Sequence, residues 1–205
     1  MDYATKNYME RGGDRWIIGG TLDRTGSPSL AELKAMLVQH YQVVPAAVSA
    51  TAVLAATALT DATQSITTGI TNPDVPRTVT VKGNAAGIVG NVVITGTNIL
   101  DEEISDTIAL NGTAEVEGIK AFKTVTQIDF PVETHAGTDT VSVGIAKKIG
   151  LPHIVEYAGM LLVKLFNGSA DTGTLTVDAD EIEKNLFALN GSPDGSKLVD
   201  LYYLV

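Results

Sequence analysis

From about residue 50 to the last residue, polar and apolar side chains alternate in short runs. Thr78-Val79-Thr80-Val81-Lys82, Thr140-Val141-Ser142-Val143-Gly144-Ile145 and Thr174-Leu175-Thr176-Val177-Asp178 all repeat with a period of two. That period sends every second side chain to one face of an extended chain, so each run is a strand with one face to bury. Ala52 to Leu59, Ile104 to Leu110, Phe122 to Phe130, Met160 to Phe166 and Leu198 to Val205 are less regular but strand-like. Turn signals separate them: Asn72-Pro73-Asp74, Gly83-Asn84, Asn111-Gly112, Ala136-Gly137, Asn167-Gly168 and Ser192-Pro193-Asp194-Gly195. About nine or ten strands at spacings of roughly 10 to 20 residues predict an antiparallel β-sandwich over residues 50–205 rather than alternating β and α units. Residues 178–189, DADEIEKNLFAL, read equally as a short helix stopped at Gly191 or as a loop along the sheet.

The segment RTVTVKGNAAGIVGNVVITGTN, residues 77–98, carries glycines at 83, 87, 90 and 96. A dinucleotide fingerprint runs G-x-G-x-x-G from a strand into a helix, whose N-terminus holds the pyrophosphate. Here the spacing is G-x-x-x-G-x-x-G, and the β-branched run Val92-Val93-Ile94-Thr95 follows. Strand, glycine-rich reversal and strand predict a hairpin or a short β-arch, not a phosphate cradle.

Residues 1–27 are glycine-rich and predicted to be irregular, with no core of their own. SPSLAELKAMLVQHY then carries a helix start, since Ser29 and Glu32 have capping-box spacing and Pro28 suits a first turn. Leu30, Leu33, Leu37 and Tyr41 recur on one face, which predicts an amphipathic helix of about three to four turns ending before Pro45. The expected organisation is an arm at 1–27, a helix and connector at 28–49, and the sandwich at 50–205. Val43 to Leu59 is mostly Ala, Ser and Thr, too weakly apolar for a membrane span, and reads as a connector into the first strand.

Chemical signals are sparse. With no cysteine the chain has no disulfide, Cys-ligated zinc or thiol nucleophile. His40, His135 and His153 stand alone in sequence, and no G-x-S-x-G is present, so no catalytic residue and no cofactor site is assigned. Asp101-Glu102-Glu103 and Asp178-x-Asp180-Glu181-x-Glu183 supply oxygen ligands for calcium but lack an EF-hand pattern, and read as solvated acidic faces. The net charge of −10, without a basic run, speaks against nucleic acid as a partner. The first residues, MDYATKNYMERGGDRW, lack the basic-then-apolar order of a signal peptide, which predicts synthesis into the cytoplasm. Tyr3, Tyr8, Trp16, Ile17 and Ile18 lie among glycines in the arm, where docking onto another surface explains large amphipathic side chains better than a private core. Arg11 and Arg15 sit between them.

The arm KNYMERGGDRWIIGGTLD resembles the opening of phage head-fibre and capsid-decoration proteins. The block ITNPDVPRTVTVKGNAAGIVGNVVITGTNILDEEISDTIALNGTAEVEGIKAFKTVTQIDFP, with THAGTDTVSVGIAKKIGLP and the final VDLYYLV, resembles a β domain of small phage structural proteins. The resemblance implies a non-enzymatic virion protein on the capsid exterior. In it, Tyr3, Tyr8, Arg11, Arg15, Trp16, Ile17 and Ile18 attach to the major capsid protein. The stripe Leu30, Leu33, Leu37 and Tyr41 is expected to join copies into a homo-oligomer, with a trimer the economical arrangement. A virion-displayed adhesin for a host surface or carbohydrate is the alternative, and a hydrolase with dispersed carboxylates a more distant one.

Overall fold

The alternation in the sequence becomes sixteen strands in a computed structural model that describes residues 8–9, 16–17, 38–133 and 138–205. The chain divides into two compact units, Met1–Met36 and Leu37–Val205. In the first unit β1 (Tyr8–Met9) pairs antiparallel with β2 (Trp16–Ile17), Tyr8 opposite Ile17 and Met9 opposite Trp16.

The second unit opens with β3 (Val38–Val43), β4 (Ser49–Ala58) and β5 (Gln64–Ile66), followed by β6 (Arg77–Gly83), β7 (Val89–Thr97) and β8 (Glu103–Asn111). β9 (Val116–Phe122), β10 (Thr124–Phe130) and the long β11 (Thr140–Gly150) come next. The remaining strands are β12 (Leu161–Phe166), β13 (Ser169–Ala170), β14 (Thr174–Thr176), β15 (Leu186–Ala188) and β16 (Val199–Leu204). Every pairing is antiparallel. A four-stranded sheet β5-β10-β7-β8 packs on β9-β6-β11, with β4 on the far side of β11. Val92, Ile94, Ile108 and Ile128 from one sheet meet Val79, Val81, Val141 and Val143 from the other in the larger core. β8 alternates exposed and buried along its whole length, as its sequence predicts for a strand facing water on one side.

A second, smaller core lies beyond it. Ile149, Phe187, Leu189, Val199, Leu201 and Tyr203 pack together between the end of β11 with β15 and β14 and a four-stranded sheet β13-β12-β16-β3. β11 serves both cores. Its first half pairs with β4, its last three residues pair with β15, and its register against β6 shifts between Ile145 and Ile149.

Arg77 fixes this junction. Its side chain is fully buried at the start of β6. Its Nε donates to the Ala146 carbonyl at 2.6 Å, and Nη2 donates to the same oxygen. Nη1 reaches the Ala46 carbonyl at 3.1 Å and Asp74 Oδ1 at 3.0 Å. Asp74 Oδ2 in turn accepts the Ala46 N–H at 2.6 Å. One guanidinium therefore ties the shift in β11 to the connector between β3 and β4. Burial pulls its pKa down, and Asp74, with which it bonds, pulls it back up.

The glycine-rich stretch after β6 is a β-arch, because β6 and β7 belong to opposite sheets. Asn84 Oδ1 accepts the Thr140 N–H at 2.8 Å and Ile88 is wholly buried, so the arch closes one end of the larger core. Gly90 adopts φ +107°, and a Cβ there would lie 2.8 Å from the Pro131 Cβ, which explains why this position carries no side chain.

Two expectations are corrected. The helix does not extend through residues 38–43, which form β3 and pair with β16 from Val43–Val199 to Val38–Leu204. Exposure alternates along Val-Gln-His-Tyr-Gln-Val, but its apolar residues do not, and a partner strand some 160 residues away leaves no local trace in the sequence. β structure thus begins ahead of residue 50. Second, Phe122 to Phe130 is not one strand: the chain leaves β9 for the opposite sheet at Lys123. Residues 178–189 prove to be neither regular helix nor plain loop, but a single 3₁₀ turn, Ile182–Lys184, leading into β15.

Candidate functional site

Within the arm, the described residues are those of the β1–β2 ladder, which brings the backbones of Tyr8 and Trp16 into one short hairpin register. Tyr3, Arg11, Arg15 and Ile18 lie outside the described residues, as do Leu30, Leu33 and Leu37 of the expected stripe. Sequence reading missed the ladder because each of its strands is two residues long.

Tyr41, the last member of that stripe, sits in β3 opposite Leu201, half-buried against the smaller core. Its hydroxyl is enclosed without a hydrogen-bond partner. Burial, with the charge of Asp74 adding to it, pushes the phenol up to about 12. Tyr203 is fully buried beside it, and its hydroxyl lies 2.9 Å from His153 Nδ1. Its neighbour Tyr202 points the other way and stacks on His40, with ring centroids 4.2 Å apart and planes 7° from parallel. His40 Nε2 is 2.7 Å from Asp200 Oδ1. The period of two in β16 alone separates the roles of these two tyrosines. His135 lies outside the described residues.

The two acidic runs, distant in sequence, line one groove of about 470 Å³, with Asn98, Glu102, Glu103, Asp180, Glu181 and Glu183 on its polar side. Lys120, projecting from β9, organises it. Its Nζ donates to Glu181 Oε1 at 2.7 Å and to Glu183 Oε1 at 3.1 Å. Glu181 also pairs with Lys184. Asn98 donates through Nδ2 to Glu102 at 2.9 Å and to Glu183 at 3.4 Å, while its Oδ1 accepts the N–H groups of Leu100 and Glu102. Burial opposes the charge on Lys120, yet its bonds to Glu181 and Glu183 outweigh this and raise the amine's pKa. Hydrogen bonds from Lys120 and then Lys184 hold the Glu181 carboxyl below its ordinary range. The ion pairs of Lys120 with Glu181 and Glu183 tie β9 to the 3₁₀ turn as a clamp. Among the described residues, no three acidic or histidine side chains are arranged to hold a metal ion.

A polar side chain also closes the gap between sheets. Asp106 on β8 accepts the N–H groups of Ile119 and Lys120 on β9 at 2.8 and 3.2 Å, doing for that edge what a ladder partner does elsewhere. No helix among the described residues is long and apolar enough to cross a membrane. No family model, curated protein or solved structure matches the chain.

Proposed function

We propose that this chain is a structural protein of a phage virion, without enzymatic activity, that decorates the outer surface of the head by binding the major capsid protein. The observation that carries the reading is a division of labour along the chain. Residues 1–36 hold equal numbers of acidic and basic residues, the only tryptophan and two tyrosines, and form a compact unit of their own. All of the net charge of −10 falls in residues 37–205, the β unit with its two closed cores. A neutral aromatic segment suits docking, while an acidic β unit suits a solvated exterior that resists non-specific association. In this reading Tyr3, Tyr8, Trp16, Ile17 and Ile18 are anchors, Arg11 and Arg15 set orientation, and the protein is a homo-oligomer on the capsid.

The test mixes undecorated capsids with the full chain and with its Trp16→Ala variant, and measures occupancy after sedimentation. Loss of a buried aromatic anchor is expected to weaken binding by about 2 kcal/mol, roughly thirtyfold in affinity. Full occupancy by the variant at every concentration tried sinks the assignment of the arm as the anchor.

A further inference from the structure

The outer face of the β12-β16-β3 sheet is built unlike the rest of this acidic unit. Strand alternation and register give its rows. Val38, 57% exposed, lies opposite Leu204. His40 lies opposite Tyr202, which on its other side meets Val163, 39% exposed. Gln42 lies opposite Asp200, which meets Leu165. Leu162, 53% exposed, is the extra residue of a bulge facing the step from Tyr202 to Tyr203. Asp200 is the single charged group in these rows, and His40 covers it.

Among the described residues β3 pairs on one side only, over six residues that include no Lys, Arg, Asp, Glu or Pro. The other edges are short or covered: β13 has two residues, β14 and β5 have three, and β4 is met by the Thr71 N–H at Val53. The β8–β9 gap is closed by Asp106. Natural sheets protect exposed edges with charge, proline or brevity, and β3 uses none of these.

We infer that this face, Val38, Tyr202, Leu204, Leu162 and Val163 with the edge of β3, is where copies of this chain bind one another. Charge selects the occupant. Two copies of a unit with a charge of −10 repel across most of their surfaces. Here the one carboxylate is hydrogen-bonded to His40 and the other side chains are uncharged, so an acidic chain meets itself at low electrostatic cost. The stripe Leu30, Leu33, Leu37 and Tyr41, expected from the sequence to join copies, runs into β3, so both features fall at the same place along the chain. The inference deepens the homo-oligomer part of the function proposed above, and it is tested without capsids so that the two fail separately.

The experiment is sedimentation equilibrium of the full chain over a wide concentration range, alongside Val163→Glu, Leu33→Asp and Ile119→Glu. Ile119 is 59% exposed on β9, outside this face, and serves as the control. The full chain and Ile119→Glu are expected to sediment as a multiple of 21.5 kDa, and Val163→Glu as a single 21.5 kDa chain with unchanged circular dichroism and melting temperature. A monomeric unmutated chain overturns the inference. So does a Val163→Glu protein that associates like the parent, and if Leu33→Asp alone dissociates, the stripe rather than the sheet face carries the contact.

Discussion

Replacing Arg77 by methionine removes every donor at the junction of the two cores while keeping most of the side-chain volume. The buried Ala146 carbonyl then loses both of its guanidinium contacts, and the half-buried Ala46 carbonyl loses one. A buried acceptor left without a partner costs about 1–3 kcal/mol, and hydrogen bonds to charged donors lie at the upper end. Asp74 is partly exposed, at 29% of its side chain, so water takes over its lost bond and that share is about 1 kcal/mol or less. Relief of the desolvation of a buried guanidinium works in the opposite direction and offsets part of the loss. The net expectation is a destabilisation of about 3 kcal/mol for Arg77→Met, rising to about 4–5 kcal/mol for Arg77→Ala, which also leaves a cavity. For a unit of this size each kcal/mol moves the melting temperature by about 2–4 °C, so Arg77→Met should melt roughly 6–12 °C lower. Asp74→Asn, which leaves the backbone carbonyls satisfied, should cost no more than about 1 kcal/mol. Calorimetry and urea unfolding of the three variants decide the matter. The reasoning is refuted if Arg77→Met stays within about 0.5 kcal/mol of the parent, or if Asp74→Asn costs as much as Arg77→Met.

Tyr41→Phe should be neutral or stabilise by about 1 kcal/mol at neutral pH, because it deletes a buried hydroxyl that lacks a partner. The folded-state pKa of Tyr41 lies above the unfolded value of about 10, so its contribution is whole below about pH 10 and is lost as pH rises through about 12. Urea midpoints should therefore fall over that window and fall less steeply in Tyr41→Phe; equal slopes would show that other groups carry the alkaline loss. Lys120→Met leaves Glu183, 6% exposed, without its cation and should cost about 3 kcal/mol, with Lys120→Arg recovering part of it in the same unfolding assay. Gly90→Ala should destabilise by about 2 kcal/mol, since it combines a strained φ with a contact against Pro131, and a melting temperature equal to the parent's would contradict that geometry.

The larger core was largely legible because its strands obey the simplest pattern available. Val79 and Val81, Val141 and Val143, and the full alternation of β8 announce both the strand and its buried face. The smaller core was not, and β3 shows why: its hydrophobic positions fit a helix stripe when read with Leu30, Leu33 and Leu37, and a strand only when β16 is beside it. The acidic runs were visible as runs, but their meeting around Lys120 depends on β9 and the 3₁₀ turn being neighbours in space. Arg77 gave no signal of its own. A lone arginine at the start of a strand is read as a solvated end, and only the course of β11 and the connector makes it the interior of the junction.

The ladder between β3 and β16 also governs the order in which the protein can be completed. Val38 and Leu204 face each other in register although they come from opposite ends of the β unit. A ribosome releases β3 early, but β16 emerges only when almost every other strand has been made, so β3 must wait with both edges open while the larger core is already able to close. During that interval β3 is tethered to a folded body without being fastened to it. A nascent chain stalled before residue 199 would keep β3 open on both edges, whereas a chain that includes β16 has one of those edges sealed. Emergence of β16 is then the event that seals one edge of β3 and closes the interval in which the nascent chain is most prone to aggregate.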